Sequence, residues 1–139
     1  MKIVLIACAS KKLSKKTEAR DLYISPLFKY NIRYAKSLNP DSIFILSAKY
    51  GLLELNEEVG PYNQTLNRMN NEEIVKWADG VINKLSKKTD LKNDEFIFLA
   101  GEKYRKFLIP HISNYKIPLE GLGIGKQLKF LKERIKDEQ

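Results

Sequence analysis

The sequence has 139 residues, which is enough for one domain with a single ordinary core. Its formal net charge of +8 favours an anionic partner, with nucleic acid as the first candidate. No apolar run approaches the roughly 20 residues that a membrane-spanning helix needs, and a single cysteine excludes a disulfide framework. We therefore expect one cytoplasmic domain over residues 1–139, without a membrane contact.

The chain begins with an apolar strand, Lys2–Cys8, that is too short for a signal peptide. The loop that follows contains Ser10, Lys11 and Lys12, whose hydroxyl and ammonium groups can hold a phosphate. It is not a Walker motif, because it has no glycine to free the backbone. An ordinary solvated loop is the alternative.

Two helices carry capping signals. Ser25-Pro26 provides an N-cap and a first helical residue for a helix that reaches about Leu38. Asn70, with Glu73 three residues later, predicts a capping box for the second helix. The apolar spacing of that helix makes Trp77 a predicted core residue.

Short apolar runs predict further strands at Ile43–Leu46, Glu95–Ala100 and Tyr115–Pro118. Residues Leu52–Leu66 show no clear period and are expected to form a loop or a strand-turn excursion. Strands alternate with helices, which predicts parallel pairing and right-handed crossovers. We expect an α/β fold, a single three-layer domain with a mainly parallel sheet of about four strands and helices on both faces.

Two further helices are predicted after Ala100. Gly101 opens a short helix that we expect Pro110 to end. Leu119–Gly125 is a glycine-rich turn that leads into a basic terminal helix.

The loops that leave parallel strands meet at one edge of the sheet, where α/β proteins bind their ligands. These loops are basic and rich in tyrosine and glycine, which suits a ligand with a phosphate and a flat ring. The candidate nucleotide- or nucleic-acid-binding residues are Ser10, Lys12, Arg20, Tyr23, Ser47, Tyr50, Gly51, Tyr62, Gly101, Tyr104, Gly121, Gly123 and Lys126.

The candidate catalytic residues are Glu120, Glu102 and Lys11. Each glutamate directly follows a predicted strand end and can act as an acid or base, and the lysine can hold phosphate or form an adduct. Glu102 can instead complement a helix N-terminus. Cys8 is interpreted as a small core residue, and the tyrosines have an alternative role as hydroxyls that pin loops. One histidine, one cysteine and scattered carboxylates predict no metal site, and we expect no cofactor.

The middle of the chain resembles the YaaA family of peroxide-stress proteins. The shared features are the run Leu46–Leu53, the pair Pro61-Tyr62, Trp77 on a helix, and Leu99–Tyr104. The resemblance implies DNA binding and a protective role under peroxide stress, without a settled reaction. It therefore places DNA ahead of RNA as the expected partner.

Two further resemblances extend this one. Cys8–Lys12 is similar to the Cys-Ser-x-Lys-Lys element in the core domain of archaeosine synthase, a tRNA-modifying enzyme. This implies that a lysine, Lys11 or Lys12, engages a modified base. Compact YaaA-like domains share Arg20–Tyr23, Ser25–Phe28 and Pro118–Gly125 with this chain.

Two functions follow as hypotheses. In the first, the protein binds a nucleic acid, a free nucleotide or a nucleobase, and acts on the base or its glycosidic bond. In the second, it is a non-catalytic DNA-binding module that protects nucleic acid in a stress response. A structural domain whose lysines only confer solubility is a third, weaker alternative. The sequence leaves the substrate, the choice of DNA or RNA, and the oligomeric state open.

Overall fold

A computed structural model describes residues 1–137. The strands are β1 (Lys2–Ala7), β2 (Thr17–Glu18), β3 (Ser42–Ser47), β4 (Gly51–Glu54), β5 (Glu58–Val59), β6 (Glu95–Leu99) and β7 (Tyr115–Lys116). The helices are α1 (Ala19–Leu22), α2 (Pro26–Ser37), α3 (Asn71–Lys88), α4 (Glu102–Arg105) and α5 (Ile124–Asp137). Two 3-10 turns cover Leu66–Arg68 and Ile109–His111.

The main sheet is mixed but mostly parallel, with the strand order β4-β3-β1-β6-β7. Strands β3, β1, β6 and β7 are parallel, and β4 pairs antiparallel with β3. The sheet therefore has five strands rather than about four, and the extra strand lies in the segment expected to be a loop or an excursion. Three residues connect β3 to β4, too few for the crossover that parallel strands require, so the chain folds back as a hairpin.

The positive φ of Gly51, 76°, allows the chain to turn into β4. This left-handed conformation strains residues that carry a Cβ atom. Gly51 was predicted as a binding residue. The structure gives it a conformational role, and it lines neither of the two cavities described below.

Alternate residues of β1 enter two different hydrophobic clusters. Val4 and Ile6 join the cluster that contains residues of α2 and α5, including Phe28 and Leu131. Ile3 and Leu5 join the cluster that contains Ala78, Val81 and Leu85 of α3. Both faces of β1 are buried, and such a strand has apolar residues at successive positions. This explains the continuous apolar run at the N-terminus.

The helix starts agree with their capping signals. Ser25 Oγ accepts from the backbone N–H of Phe28 at 3.2 Å, with Pro26 as the first helical residue. Asn70 and Glu73 form the reciprocal capping box at the start of α3. These two predictions are confirmed.

The short helix after Gly101 ends earlier than expected. Helix α4 stops at Arg105, and Pro110 lies inside the following 3-10 turn. A proline is tolerated at the start of such a turn because its missing N–H would be unpaired there in any case.

A small antiparallel ribbon, β2 with β5, joins the loop after β1 to the excursion after β4. Backbone N–H groups of Ala19 and Arg20 extend it by donating to the carbonyls of Glu57 and Leu55. No helix within residues 1–137 combines the length and apolar character needed to cross a membrane.

Candidate functional site

The candidate site lies where β1, β3 and β6 end. Parallel pairing places Ala7 beside Leu46, and Ile6 beside Leu99. The backbone N–H of Cys8 continues this ladder by donating to the Leu46 carbonyl at 3.0 Å. The loops after these strands therefore leave the sheet at the same edge.

A chain of buried hydroxyl groups connects two of these loops. The phenol oxygens of Tyr23 and Tyr62 are 2.6 Å apart, and Ser47 Oγ donates to Tyr62 Oη at 2.8 Å. Ser47 Oγ also accepts from the backbone N–H of Tyr50 at 3.0 Å. The hydroxyl of Tyr50 donates to the carbonyl of Gly60 at 3.3 Å. The network fixes the excursion after β3 against the loop after β1.

The two central phenols are neutral hydrogen-bonding groups rather than bases. Burial raises the pKa of Tyr23 to about 12. Burial, with a smaller contribution from the neighbouring Cys8, raises the pKa of Tyr62 well above its usual range. The Tyr23 side chain is only 1% exposed, so its ring supports the site from behind and has no free face on which a ligand can stack.

Lys12 supplies the positive charge at this network. Its Nζ lies 4.3 Å from the centroid of the Tyr62 ring and 5.8 Å from that of Tyr23, and it donates to the carbonyl of Ser10 at 3.3 Å. Burial lowers the pKa of the Lys12 ammonium, and Cys8 partly opposes this effect. Among residues 1–135, whose side chains the structure describes, no carboxylate lies within ion-pair distance of Lys12.

The backbone around Lys12 is held in place. Lys12 and Tyr23 form an isolated antiparallel bridge. The N–H of Leu13 donates to the carbonyl of Leu22, and the N–H of Ile24 donates to that of Lys11. The lysine-rich loop is therefore ordered at Lys12, and this side chain has a fixed starting point.

The Lys12 cavity, of about 710 Å³, opens in front of this lysine. Two cationic side chains, Lys12 and Arg68, line it together with hydroxyl and amide groups, and none of its described lining residues is an aspartate or glutamate. Its lining residues are Cys8, Ala9, Ser10, Lys12, Tyr62, Asn63, Gln64, Thr65, Asn67, Arg68 and Tyr104. Its composition is complementary to an anion with several oxygen atoms.

Trp77, expected in the core, packs against both hydrophobic clusters and is partly buried. Its indole N–H donates to the carbonyl of Ser47 at 2.8 Å, and its ring meets that of Tyr104 edge to face. Cys8 Sγ lies 3.5 Å from Tyr104 Oη. Burial, followed by the proximity of Cys8, raises the pKa of the Tyr104 phenol. These contacts join the start of the loop after β1 to β3, α3 and α4.

The Asn31 cavity, of about 270 Å³, lies on the other side of Cys8 and Ala9, which line both cavities. Polar and apolar groups contribute to its walls in nearly equal measure, with Asn31, Glu102 and Arg105 among its polar lining residues. The apolar lining residues include Leu27, Phe28, Leu99, Leu119 and Leu122.

The structure brings many of the predicted site residues together. Ser10, Lys12, Tyr62 and Tyr104 line the Lys12 cavity, and Tyr23, Ser47 and Tyr50 form the network behind it. The Asn31 cavity is lined by Gly101, Glu102 and Gly121.

Other predicted residues lie outside both cavities. Lys11, Gly123 and Lys126 are exposed and line neither. Arg20 is bound to Glu18 and lies near Ser42, at the start of β3 and thus at the opposite end of that strand. The long loop after β1 carries Arg20 away from the edge at which it begins.

The two candidate acid/base glutamates are both exposed to solvent. Glu102 reaches the rim of the Asn31 cavity. The side chain of Glu120 is 65% exposed and lies 3.8 Å from Arg105, outside both cavities. Neither carboxylate is desolvated in the way that commonly prepares a catalytic acid. Within the described residues, no group of three or more histidine, cysteine, aspartate or glutamate side chains is placed to hold a metal ion.

Sequence reasoning missed Asn31, Arg68 and Arg105. Asn31 had a detectable signal, since it lies three residues after Phe28 and four before Ala35, on the buried face of α2. A polar residue at such a position needs an explanation. Arg68 and Arg105 lie in segments whose direction depends on tertiary contacts.

A model of a family of unknown function, DUF6884, matches residues 3–133. The chain belongs to this family. No curated protein and no solved structure matches it. The match covers both cavities of this DUF6884 protein, with every residue of the hydroxyl network.

Tyr62→Phe tests whether the hydroxyl network stabilises the fold. The change leaves the buried Ser47 hydroxyl without its acceptor, so we expect the free energy of unfolding to fall by about 1–3 kcal/mol. Urea denaturation measures it. Tyr115→Phe is the control, because that residue is 41% exposed and its hydroxyl takes part in none of the described hydrogen bonds. Equal stabilities for the two variants would contradict a structural role for the network.

The raised pKa of Tyr23 predicts a loss of stability at high pH. The pKa is about 12 in the folded protein and 10.0 in the reference state, so the folded state holds this proton more tightly. The resulting stability is fully present below pH 10 and is lost as the pH rises towards 12. The difference in unfolding free energy between wild type and Tyr23→Phe should therefore fall by up to about 3 kcal/mol across this range. Urea denaturation from pH 9 to 12 measures it, and a constant difference would refute the assignment.

Proposed function

We propose that this protein binds a nucleotide, free or within a nucleic acid, with a phosphate group in the Lys12 cavity. The observation that carries the proposal is the partly buried ammonium of Lys12, which has no carboxylate partner among the side chains of residues 1–135. A desolvated cation is stabilised by an anionic ligand, and the cavity in front of it contains Arg68 but no described acidic residue.

Three further observations support this proposal. The cavity opens at the carboxyl edge of parallel strands, where α/β folds place their ligands. The net charge of +8 attracts a polyanion. The resemblance of the Leu46–Leu53 and Leu99–Tyr104 segments to the YaaA family supports DNA rather than RNA, and a role in the stress response.

The proposal takes the sheet as the middle of three layers, with α3 on one face and α2 and α5 on the other. The division of the β1 side chains between two hydrophobic clusters supports this arrangement. We also infer a cytoplasmic protein, which is consistent with the single unpaired cysteine, Cys8.

Lys12→Ala tests the phosphate site. A charge-assisted contact contributes about 1.5–3 kcal/mol, so we expect affinity for nucleoside monophosphates to fall about tenfold or more. For a duplex oligonucleotide, the slope of log K against log salt should decrease by about one unit. Calorimetry measures the first effect and fluorescence anisotropy the second.

Lys15→Ala is the matched control, because it removes the same charge from an exposed side chain of the same loop that lines neither cavity. It should cause a smaller loss of affinity. If both variants bind as the wild type does, or if binding is independent of salt, the phosphate site does not exist.

Catalysis is a second candidate function, and the lowered pKa of Lys12 favours it. A lysine with a lowered pKa is more readily a free amine and can act as a base or nucleophile. In the hydrolysis of a glycosidic bond, water adds to the sugar and the free base leaves with a proton. The exposure of Glu102 and Glu120 favours binding without chemistry.

Mass spectrometry of oligonucleotides and nucleosides incubated with the protein distinguishes the two functions. Catalysis predicts a released base, with a rate that falls at least about tenfold in Glu102→Gln if this residue is the acid. Glu133→Gln, an exposed residue on α5, is the control. Intact substrate with retained, salt-dependent binding would leave the protective binding module as the function.

A further inference from the structure

The side chain of Asn31 is buried without a complete set of hydrogen bonds. Asn31 is 5% exposed, and its Oδ1 has no partner among the described residues. An unsatisfied buried acceptor costs about 1–3 kcal/mol, whereas an apolar residue of similar size would avoid that cost. A leucine would also continue the apolar face on which Phe28 and Ala35 lie. Stability of the folded protein therefore does not account for an asparagine here.

The position of Asn31 suggests what completes its hydrogen bonds. Asn31 is one of the residues that line the Asn31 cavity, and Leu99 and Leu122 are among the others. Elsewhere in the wall, the guanidinium of Arg105 donates to the carbonyl of Ala100 at 2.8 Å, so this polar group already has a partner. Among the described side chains, Asn31 Oδ1 is the buried polar atom that has no hydrogen-bond partner.

The size and chemistry of the cavity limit the class of that molecule. Its volume of about 270 Å³ is below the roughly 300–1,000 Å³ of sites for drug-sized ligands, so a single ring system fits better than a whole nucleotide. The apolar part of its lining, which includes Phe28, Leu99 and Leu122, suits the faces of a flat ring. The amide presents an acceptor beside a donor, which is complementary to the hydrogen-bonding edge of a nucleobase.

The two cavities are neighbours, because Cys8 and Ala9 line both. We propose that the Asn31 cavity is the nucleobase subsite of the nucleotide site, and that Asn31 Oδ1 accepts a hydrogen bond from a ring or exocyclic N–H of the base. This inference rests on the proposed function, which assigns the phosphate to the Lys12 cavity. The sugar then passes over the Cys8-Ala9 segment.

Asn31→Leu tests the subsite with two independent measurements. The first is the melting temperature of the free protein, which should stay the same or rise, because the unsatisfied amide is removed. The second is calorimetric binding of the four common nucleoside 5′-monophosphates and of ribose 5-phosphate, which has no base. We expect affinity for at least one nucleotide to fall about tenfold, with the affinity for ribose 5-phosphate unchanged.

Two variants accompany this measurement. Asn83→Leu makes the same change at an exposed position of α3 and should alter neither quantity. Asn31→Ala also removes the amide but adds no bulk, so it should show the same selective loss if the amide, rather than the size of leucine, is the cause. The side-chain amide signals of Asn31 in ¹⁵N NMR spectra of the wild type should also shift with the nucleotide and not with ribose 5-phosphate.

The outcomes separate the inference from the proposed function. If Lys12→Ala weakens ribose 5-phosphate and the nucleotides alike, while both Asn31 variants bind as the wild type does, the base lies elsewhere and the phosphate site stands. If the Asn31 variants lose ribose 5-phosphate as strongly as the nucleotides, the subsite is refuted, because the effect is not on the base. If the wild type binds none of these compounds and no oligonucleotide, the proposed function itself fails.

Discussion

Parallel pairing of β1 with both β3 and β6 is the constraint on which the site depends. Ile6 lies opposite Ile45 on one side and Leu99 on the other, so the three strands end at nearly the same level. Burial on both faces keeps this register, because a shift by one residue would exchange the side chains of the two hydrophobic clusters. A rigid sheet thus positions loops that would otherwise be free to move.

The hydroxyl network converts this sheet edge into a defined surface. Ser47 is fully buried and uses its single hydroxyl twice, as a donor to Tyr62 and as an acceptor from the backbone of Tyr50. Tyr62 follows β4 and β5 in the chain. The path of these two strands brings it back to Ser47, at the end of β3. Lys12 lies across the ring of the same tyrosine, so one phenol both closes the loop and supports the cation.

The two cavities give the site two different chemical environments. The Lys12 cavity is polar and positively charged, whereas the Asn31 cavity is smaller and has a larger apolar share in its lining. A molecule that has an ionic part and an aromatic part satisfies both, which is the chemical reason to consider a nucleotide. The exposed glutamates, Glu102 at the rim and Glu120 outside both cavities, contribute less to this complementarity than their positions after strands suggest.

Much of the fold could be predicted because its signals are local. The capped starts of α2 and α3 and the apolar runs of β1, β3 and β6 are confirmed. The segment with β4 and β5 was predicted only as a loop or a strand-turn excursion, since strands of four and two residues depend on partners distant in sequence. Arg20 shows the same limit for the site. It follows β1 in the chain, but the β2–β5 ribbon places it near the start of β3.

The glutamates and Asn31 show opposite errors. Glu120 was singled out because it follows a strand, yet the structure turns its side chain to water beside Arg105. Asn31 lies inside a helix, where sequence position alone does not indicate a ligand site. Which side chain faces a cavity depends on the packing of α2 and α4 beside the sheet, and this cannot be deduced from spacing along the chain.

The two outer strands of the sheet have a consequence for the protein at high concentration. An unpaired strand edge can recruit a strand from another molecule and so begin aggregation. Here one edge, β7, is two residues long, and the other, β4, is four. Each also carries an ion pair, Lys116 with Glu95 and Glu54 with Lys88. Short, charged edges offer a poor template, so the sheet resists extension from one copy to the next.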